Sequence, residues 1–224
     1  LINGSPTYAG RTYEGRPVEG LLFNSRMVQA IFDDANPATA VQWRYPDTGG
    51  WDARRNTSEF CAALPLYRRH GVLAVTVGLQ GGGAVFTPDI YNHYLNSAYL
   101  PDGTFVPAYF DRLRQVLQAA DDAGMAVIVN YFYWKQAARL KGGAVVARIT
   151  TAVTDWLLRT GFQNILVDVM NEAHVGRPWP GLCEQLSAQR IHDLIEIVQQ
   201  TTLNGRRLLA GASTGGGDCL PFGR

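Results

Sequence analysis

The sequence is short of several things that would place it quickly. Cysteine occurs three times in 224 residues, at Cys61, Cys183 and Cys219. The number is odd, the spacing is wide, and no CxxC pair or zinc pattern is present. Free buried thiols are the expectation, with one disulfide and a spare thiol as the alternative. Charge of one sign is also lacking: 20 basic and 19 acidic residues leave a net charge of +1. No field is directed at nucleic acid or an anionic membrane, and neither partner is expected. No apolar run approaches the roughly 18 residues of a membrane span. No GxGxxG, Walker A or GxSxG motif occurs, which argues against dinucleotide, nucleotide-phosphate and α/β-hydrolase chemistry. The histidines are scattered and suggest no metal cluster, so no cofactor or metal is expected. Leu1 opens the chain without a basic and then apolar leader. A secreted or periplasmic origin is compatible with that.

What the sequence does have is alternation. Hydrophobic residues make up 46% of the chain, enough for one sizeable core. Apolar runs at Gly20–Phe23, Leu73–Val77, Ala126–Val129, Ile165–Met170 and Leu208–Ala212 read as buried strands. Helical patterns separate them. Asn56, with Glu59 three residues on, reads as the cap of the first, and Pro65 should kink or shorten that helix. Pro107 opens the second, whose face is Phe110, Leu113, Val116, Leu117 and Ala120, with Gly124 at its end. The third spans roughly residues 144–158, and the fourth roughly 183–200. A β-α-β-α-β-α-β-α-β order argues for a parallel sheet with crossover helices.

Two architectures satisfy that order: a doubly wound open sheet and a (β/α)8 TIM-type barrel. The loops favour the barrel. Long connections follow the first and second strands and carry Trp43, Tyr45, Trp51, Tyr91, Tyr94 and Tyr99. Tight returns at His70-Gly71, Asp122–Gly124 and Thr160-Gly161 follow the helices. That asymmetry matches barrel enzymes, whose working loops lie beyond the C-terminal ends of the strands. The runs begin roughly 40 to 50 residues apart, so about five β/α units are present. Residues 1–224 are expected to form one barrel domain, C-terminally truncated.

The residues with the most chemical content follow the fourth run: Asp168-Val169-Met170-Asn171-Glu172-Ala173-His174. If the strand stays extended, residues 168, 170 and 172 share a face, so Glu172 emerges at the rim above Asp168. This segment resembles the Asn-Glu motif ending strand four in clan A glycoside hydrolases, especially the cellulase-like families. Asp168, Asn171, Glu172 and His174 match the pattern, and Ala173 stands where Pro is usual. The resemblance implies that Glu172 is the general acid/base and that Asn171 binds the sugar hydroxyl beside the reacting carbon. It implies O-glycoside hydrolysis of an oligo- or polysaccharide by a retaining two-carboxylate mechanism. The nucleophile of that clan comes from strand seven, so it is expected to lie outside this chain. Activity of the 224 residues alone is then not expected.

Softer candidates for sugar contacts are Arg26, Gln80, Tyr131, Tyr133, Trp134 and His174. Arg26 follows the first strand and can pair with a carboxylate. Gln80 ends the second strand. Tyr131, Tyr133 and Trp134 follow the third and can stack on sugars, although histidine is more usual near that point in the family. Asp168 reads as a buried carboxylate paired with an arginine. The alternative to an enzyme is a degenerate barrel fragment that binds carbohydrate without cleaving it. Exposed sheet edges make self-association an expectation in either case.

Overall fold

The computed structural model describes residues 2, 4–27, 29–81, 93–173 and 181–213. A small hairpin comes first, β1 (Thr12–Tyr13) and β2 (Arg16–Pro17), antiparallel with Thr12 opposite Pro17. Its two-residue turn, Glu14-Gly15, has both φ angles positive (47° and 75°), the geometry that matches strand twist.

The main sheet and its helices follow, with at least one helix between successive strands. They are β3 (Asn24–Arg26), the short α1 (Pro37–Ala40), α2 (Ala53–Arg69), β4 (Ala74–Gly78), α3 (Pro107–Asp122), β5 (Ala126–Tyr133), the short α4 (Trp134–Ala137), α5 (Gly143–Arg159), β6 (Ile165–Asn171), α6 (Ile191–Gln200) and β7 (Leu209–Gly211). All five strands from β3 to β7 run parallel, and their spatial order is their chain order. A doubly wound sheet reverses direction at a switch point and would place its first strand centrally. This one does not, so the architecture is the barrel type.

The sheet also curves. Arg26 on β3 donates through Nη2 to Asn171 Oδ1 at the end of β6, three strands away. In a flat sheet three strand spacings are about 14 Å, beyond the reach of one arginine. The contact spans the concave side of an arc.

Strand parity divides the side chains between two environments. Val75, Val77, Val127, Val129, Ile165, Val167 and Val169 are buried and pack with Leu113, Val116 and Leu117 of α3, Ile149, Val153 and Leu157 of α5, and Leu194 and Val198 of α6. The alternate positions line a concave cavity of about 550 Å³, whose walls include Asn24, Arg26, Thr76, Ile128, Leu166, Asp168 and Ser213. This is the layered logic of a barrel, with helices outside and a floor inside that mixes polar side chains with Ile128, Leu166 and Leu209.

Several elements differ from the sequence expectation. The first strand is not Gly20–Phe23 but the next three residues, Asn24–Arg26. Leu21 and Phe23 are about half exposed, so apolarity there does not mark a strand. The cap of α2 is Asp52, whose carboxylate accepts from the Arg54 and Arg55 amides at 2.9 and 3.0 Å; Asn56 lies inside the helix. The helix runs through Pro65 to Arg69. Pro65 is exposed, so the carbonyl that its missing N–H leaves unpaired can be solvated. The fourth helix starts at Ile191, and only a 3-10 turn, Glu184–Leu186, lies in the earlier part of the expected span. β5 extends four residues beyond its apolar run and takes in Tyr131 and Tyr133. The second and third expected helices stand, and the five residues chosen as the apolar face of α3 are all buried. Cys61 and Cys183 are free but only partly buried; burial pushes the Cys61 thiol up to about 11. Among the described residues no helix is long and apolar enough to cross a membrane.

Candidate functional site

The site is built at the C-terminal end of β6. Its register sets Asp168 beside Asn130 of β5 and Gly211 of β7, and Asn171 beside Tyr133. Asp168 is an inward position, 7% exposed. Burial raises its pKa, while hydrogen bonds from Ser213 and Asn130 and the charge of Arg26 act in the opposite direction. Ser213 is the principal partner, through its amide (2.9 Å to Oδ1) and its hydroxyl (2.8 Å to Oδ2). The expected arginine pairing of Asp168 is therefore corrected. A serine beyond β7 holds the carboxylate, and Arg26 is only an electrostatic neighbour, because its guanidinium is directed to Asn171.

At Glu172 the backbone leaves the strand. Its φ is +57°, the left-handed region that costs a non-glycine residue on the order of 1–3 kcal/mol. The other described non-glycine residues with positive φ are Tyr8, Glu14 and Asn204, all in surface turns. Glu172 takes this conformation at a strand end on the barrel rim. Both sides of it are fastened. Asn171, 4% exposed, accepts from Arg26. The amide of Ala173 donates to Ser213 O at 3.0 Å, and the amide of Ser213 approaches Met170 O at 3.3 Å.

Tyr133 completes the group. Its pKa is raised first by burial and then by the negative charge of Glu172, with a hydrogen bond to Trp134 and the charge of Arg26 opposing. Tyr133 thus senses the charges of both Glu172 and Arg26. The Tyr133 and Trp134 rings lie 5.6 Å apart at 44°.

Of the residues singled out by sequence, the structure brings together Arg26, Asn171, Glu172, Tyr133 and Trp134. Gln80 stands behind them and is 1% exposed. Its Oε1 accepts from the Tyr133 amide at 3.1 Å and its Nε2 donates to Ser97 Oγ at 3.0 Å. Both ends of the amide are committed to the protein, and Gln80 serves the group by fixing the backbone of Tyr133. Tyr131 lies apart. It is fully buried on the helix side, with its hydroxyl 3.0 Å from Thr154 of α5. Tyr131 shares the outward parity of Val127 and Val129; Tyr133 shares it too, but stands at the last position of the strand, beside Asn171. His174 lies outside the described residues.

The long-loop aromatics mostly pack on one another. Phe32 contacts Trp43, Trp51 and Tyr94 at 5.1 to 5.8 Å. The indole N–H groups of Trp43 and Trp51 donate to Asp34 and Asp33. They form the loop layer's own small core. Sequence reasoning missed Ser213. A signal for it existed: Leu209, Gly211 and Ser213 form a period-two series on the concave side.

With this geometry in place, comparison with known proteins adds the fold's relatives. No protein-family model matches the chain, and no curated protein matches it in sequence. Solved structures do match. One is a glycoside hydrolase family 5 enzyme from Prevotella bryantii in complex with a xyloglucan tetradecasaccharide, at TM-score 0.52 and 14% identity, over 84% of this chain and 53% of that one. Another is an endo-β-mannanase/endo-β-glucanase of Prevotella bryantii, at TM-score 0.51 and 14% identity, over 84% of this chain and 27% of that one. A β-glucosidase from Thermotoga maritima in complex with castanospermine matches at TM-score 0.50 and 12% identity, over 88% and 49% of the two chains. The chain thus spans about half the length of the first of these. At such identity the likeness is one of fold: the five β/α units are arranged as in a (β/α)8 barrel. The resemblance read from Asn171-Glu172 to the cellulase-like barrels of clan A agrees with that fold.

Proposed function

We propose that this chain carries the acid/base site of a retaining O-glycoside hydrolase acting on an oligo- or polysaccharide. One observation carries the reading. A half-buried glutamate with strained backbone follows the fourth strand of a barrel arc, directly after an asparagine gripped by Arg26. Strained residues held by their surroundings gather at functional sites, and barrel enzymes place their chemistry at this end of the strands.

In this reading Glu172 donates its proton to the leaving glycosidic oxygen and later takes one from the water that releases the sugar. Asn171 holds the hydroxyl beside the reacting carbon. Arg26 occupies Asn171 Oδ1 and so turns the amide NH₂ of Asn171 toward the substrate. Tyr133 and Trp134 offer aromatic faces to the sugar ring. A retaining mechanism also needs a second carboxylate about 5 Å from the first; we assign no described residue to that role. Asp168 does not fit it, because Ser213 occupies both of its oxygens. The fold neighbours include proteins solved with, or described as acting on, xyloglucan, β-mannan and β-glucan, so those glycans are the first ligands to test.

The test is calorimetric titration of the chain with xyloglucan, gluco- and manno-oligosaccharides, beside Asn171→Ala. We expect binding to at least one, weakened about tenfold in the variant, the equivalent of about 1.4 kcal/mol. Equal affinities would remove Asn171 from the site. No binding to any of the three would overturn the carbohydrate reading.

A further inference from the structure

We infer that Ser213 and Asp168 form a latch that positions Glu172. The inference rests on the acid/base reading above and adds two residues to which that reading gives no part. It starts from a physical problem. A glutamate in the left-handed region does not stay there unless its neighbours over-determine it. Glycine would adopt the same conformation freely, but it would bring no carboxyl group.

The structure shows what does the holding. Ser213 lies two residues past the end of β7 and makes contacts along the whole terminus of β6. Its hydroxyl and amide take the two oxygens of Asp168 at 2.8 and 2.9 Å. Its carbonyl accepts from the Ala173 amide at 3.0 Å, immediately after Glu172. Its hydroxyl and amide also lie 3.4 and 3.3 Å from Met170 O. One residue therefore brackets positions 168 to 173. Arg26 anchors the same turn from the opposite strand through Asn171. Asp168 is the buried post to which Ser213 is tied. Asp168→Asn would keep the shape but lose the charge-assisted bonds, which are roughly twice as strong as neutral ones. Ser213→Ala removes one bond to that post and leaves the backbone free to respond. Ser213 and Asp168 are thus positioning residues. They act on the reaction through the placement of Glu172.

Two readouts on the intact chain test this, with melting temperature as a check on folding. The first is hydrogen exchange at the Ala173 amide. The second is covalent labelling of Glu172 by a bromoacetyl cellobiosylamine. The Glu172 carboxylate attacks the bromomethyl carbon, an ester bond forms, and bromide leaves. In Ser213→Ala we expect Ala173 to exchange at least tenfold faster while Val75 and Val129 are unchanged. The labelling rate at saturation should fall about tenfold with half-saturation unmoved. Ser213→Thr, which keeps the hydroxyl, should recover both. Unchanged exchange at Ala173 would overturn the latch. Faster exchange with unchanged labelling would make the contact structural only and overturn the positioning role. Failure of the unsubstituted chain to label at Glu172 would overturn the acid/base reading itself, and the positioning role with it, while exchange at Ala173 would still judge the latch.

Discussion

The two faces of the main sheet are made from the same strands and follow opposite rules. On the helix side, positions 127, 129, 167 and 169 are valines with at most 4% exposure, filling space between strands and helices. On the concave side, one residue over, Asn24, Arg26, Thr76 and Asp168 stand among Ile128, Leu166 and Leu209, and the polar ones are joined by directional bonds: Thr76 to Asn24 at 2.9 Å, Arg26 to Asn171, and Ser213 to Asp168. The helix side determines that the chain folds. The concave side determines where Glu172 sits. A substitution on one face should therefore move stability, and on the other it should move binding and chemistry.

That division can be broken most forcefully at Leu117 of α3, which is fully buried. Leu117→Ala removes several methyl groups from a close-packed interior and should cost about 2–5 kcal/mol of unfolding free energy. Oligosaccharide affinity of the folded fraction should not change. Chemical denaturation and titration of the same sample measure both, and a large loss of affinity without loss of stability would dissolve the distinction.

A smaller effect sharpens the comparison at Tyr131. Tyr131→Phe deletes one buried hydrogen bond to Thr154 and should cost about 1 kcal/mol. Because the ring points to α5, sugar binding should be untouched. Weaker binding in Tyr131→Phe would return this residue to the site.

The smallest expected effect is the pH dependence of Asp168. Its folded pKa lies above the ordinary carboxylate value, mainly through burial. The folded state thus holds its proton more tightly than the unfolded chain does. That contribution to stability is complete below the unfolded pKa, about 3.9, and is lost as pH rises through the higher folded value. Arg26 is the charged group facing it and acts against the shift. The melting temperature of the unsubstituted chain minus that of Asp168→Asn should fall between about pH 3.5 and pH 7. A difference that rises over that range would mean that Ser213 and Arg26 outweigh burial.

How much of this was legible in the sequence follows from the same two faces. Strands β4, β5, β6 and β7 announce themselves because their helix-facing valines and leucines form apolar runs. β3 does not, since Asn24-Ser25-Arg26 contains no apolar residue. It becomes a strand through pairing with β4, Asn24 opposite Ala74, a partnership that local sequence does not reveal. The position of Glu172 at a strand end was readable from the run before it. Its left-handed backbone was not, because glutamate, unlike glycine or asparagine, carries no propensity signal for that conformation. Gln80 reads as a free strand-end amide until Ser97 and Tyr133, 17 and 53 residues away, are seen to occupy it. Parity would have turned Tyr131 outward had the strand been carried four residues further, but it puts Tyr133 on the same side, so parity does not separate the two.

The central claim is that Glu172 is the proton-transferring carboxyl group of the site. The most direct measurement is the hydrolysis kinetics of Glu172→Gln, in an active protein that carries this chain, with two leaving groups. Cleavage of unactivated glycosides should fall roughly 10²- to 10⁴-fold, since protonation of the leaving oxygen is lost. Activated aryl glycosides need little protonation, so their first step should suffer less and the glycosyl-enzyme should accumulate. Azide, which needs no base, should then restore turnover with retained configuration. Activity of Glu172→Gln on unactivated glycosides equal to that of the unsubstituted protein would contradict the account.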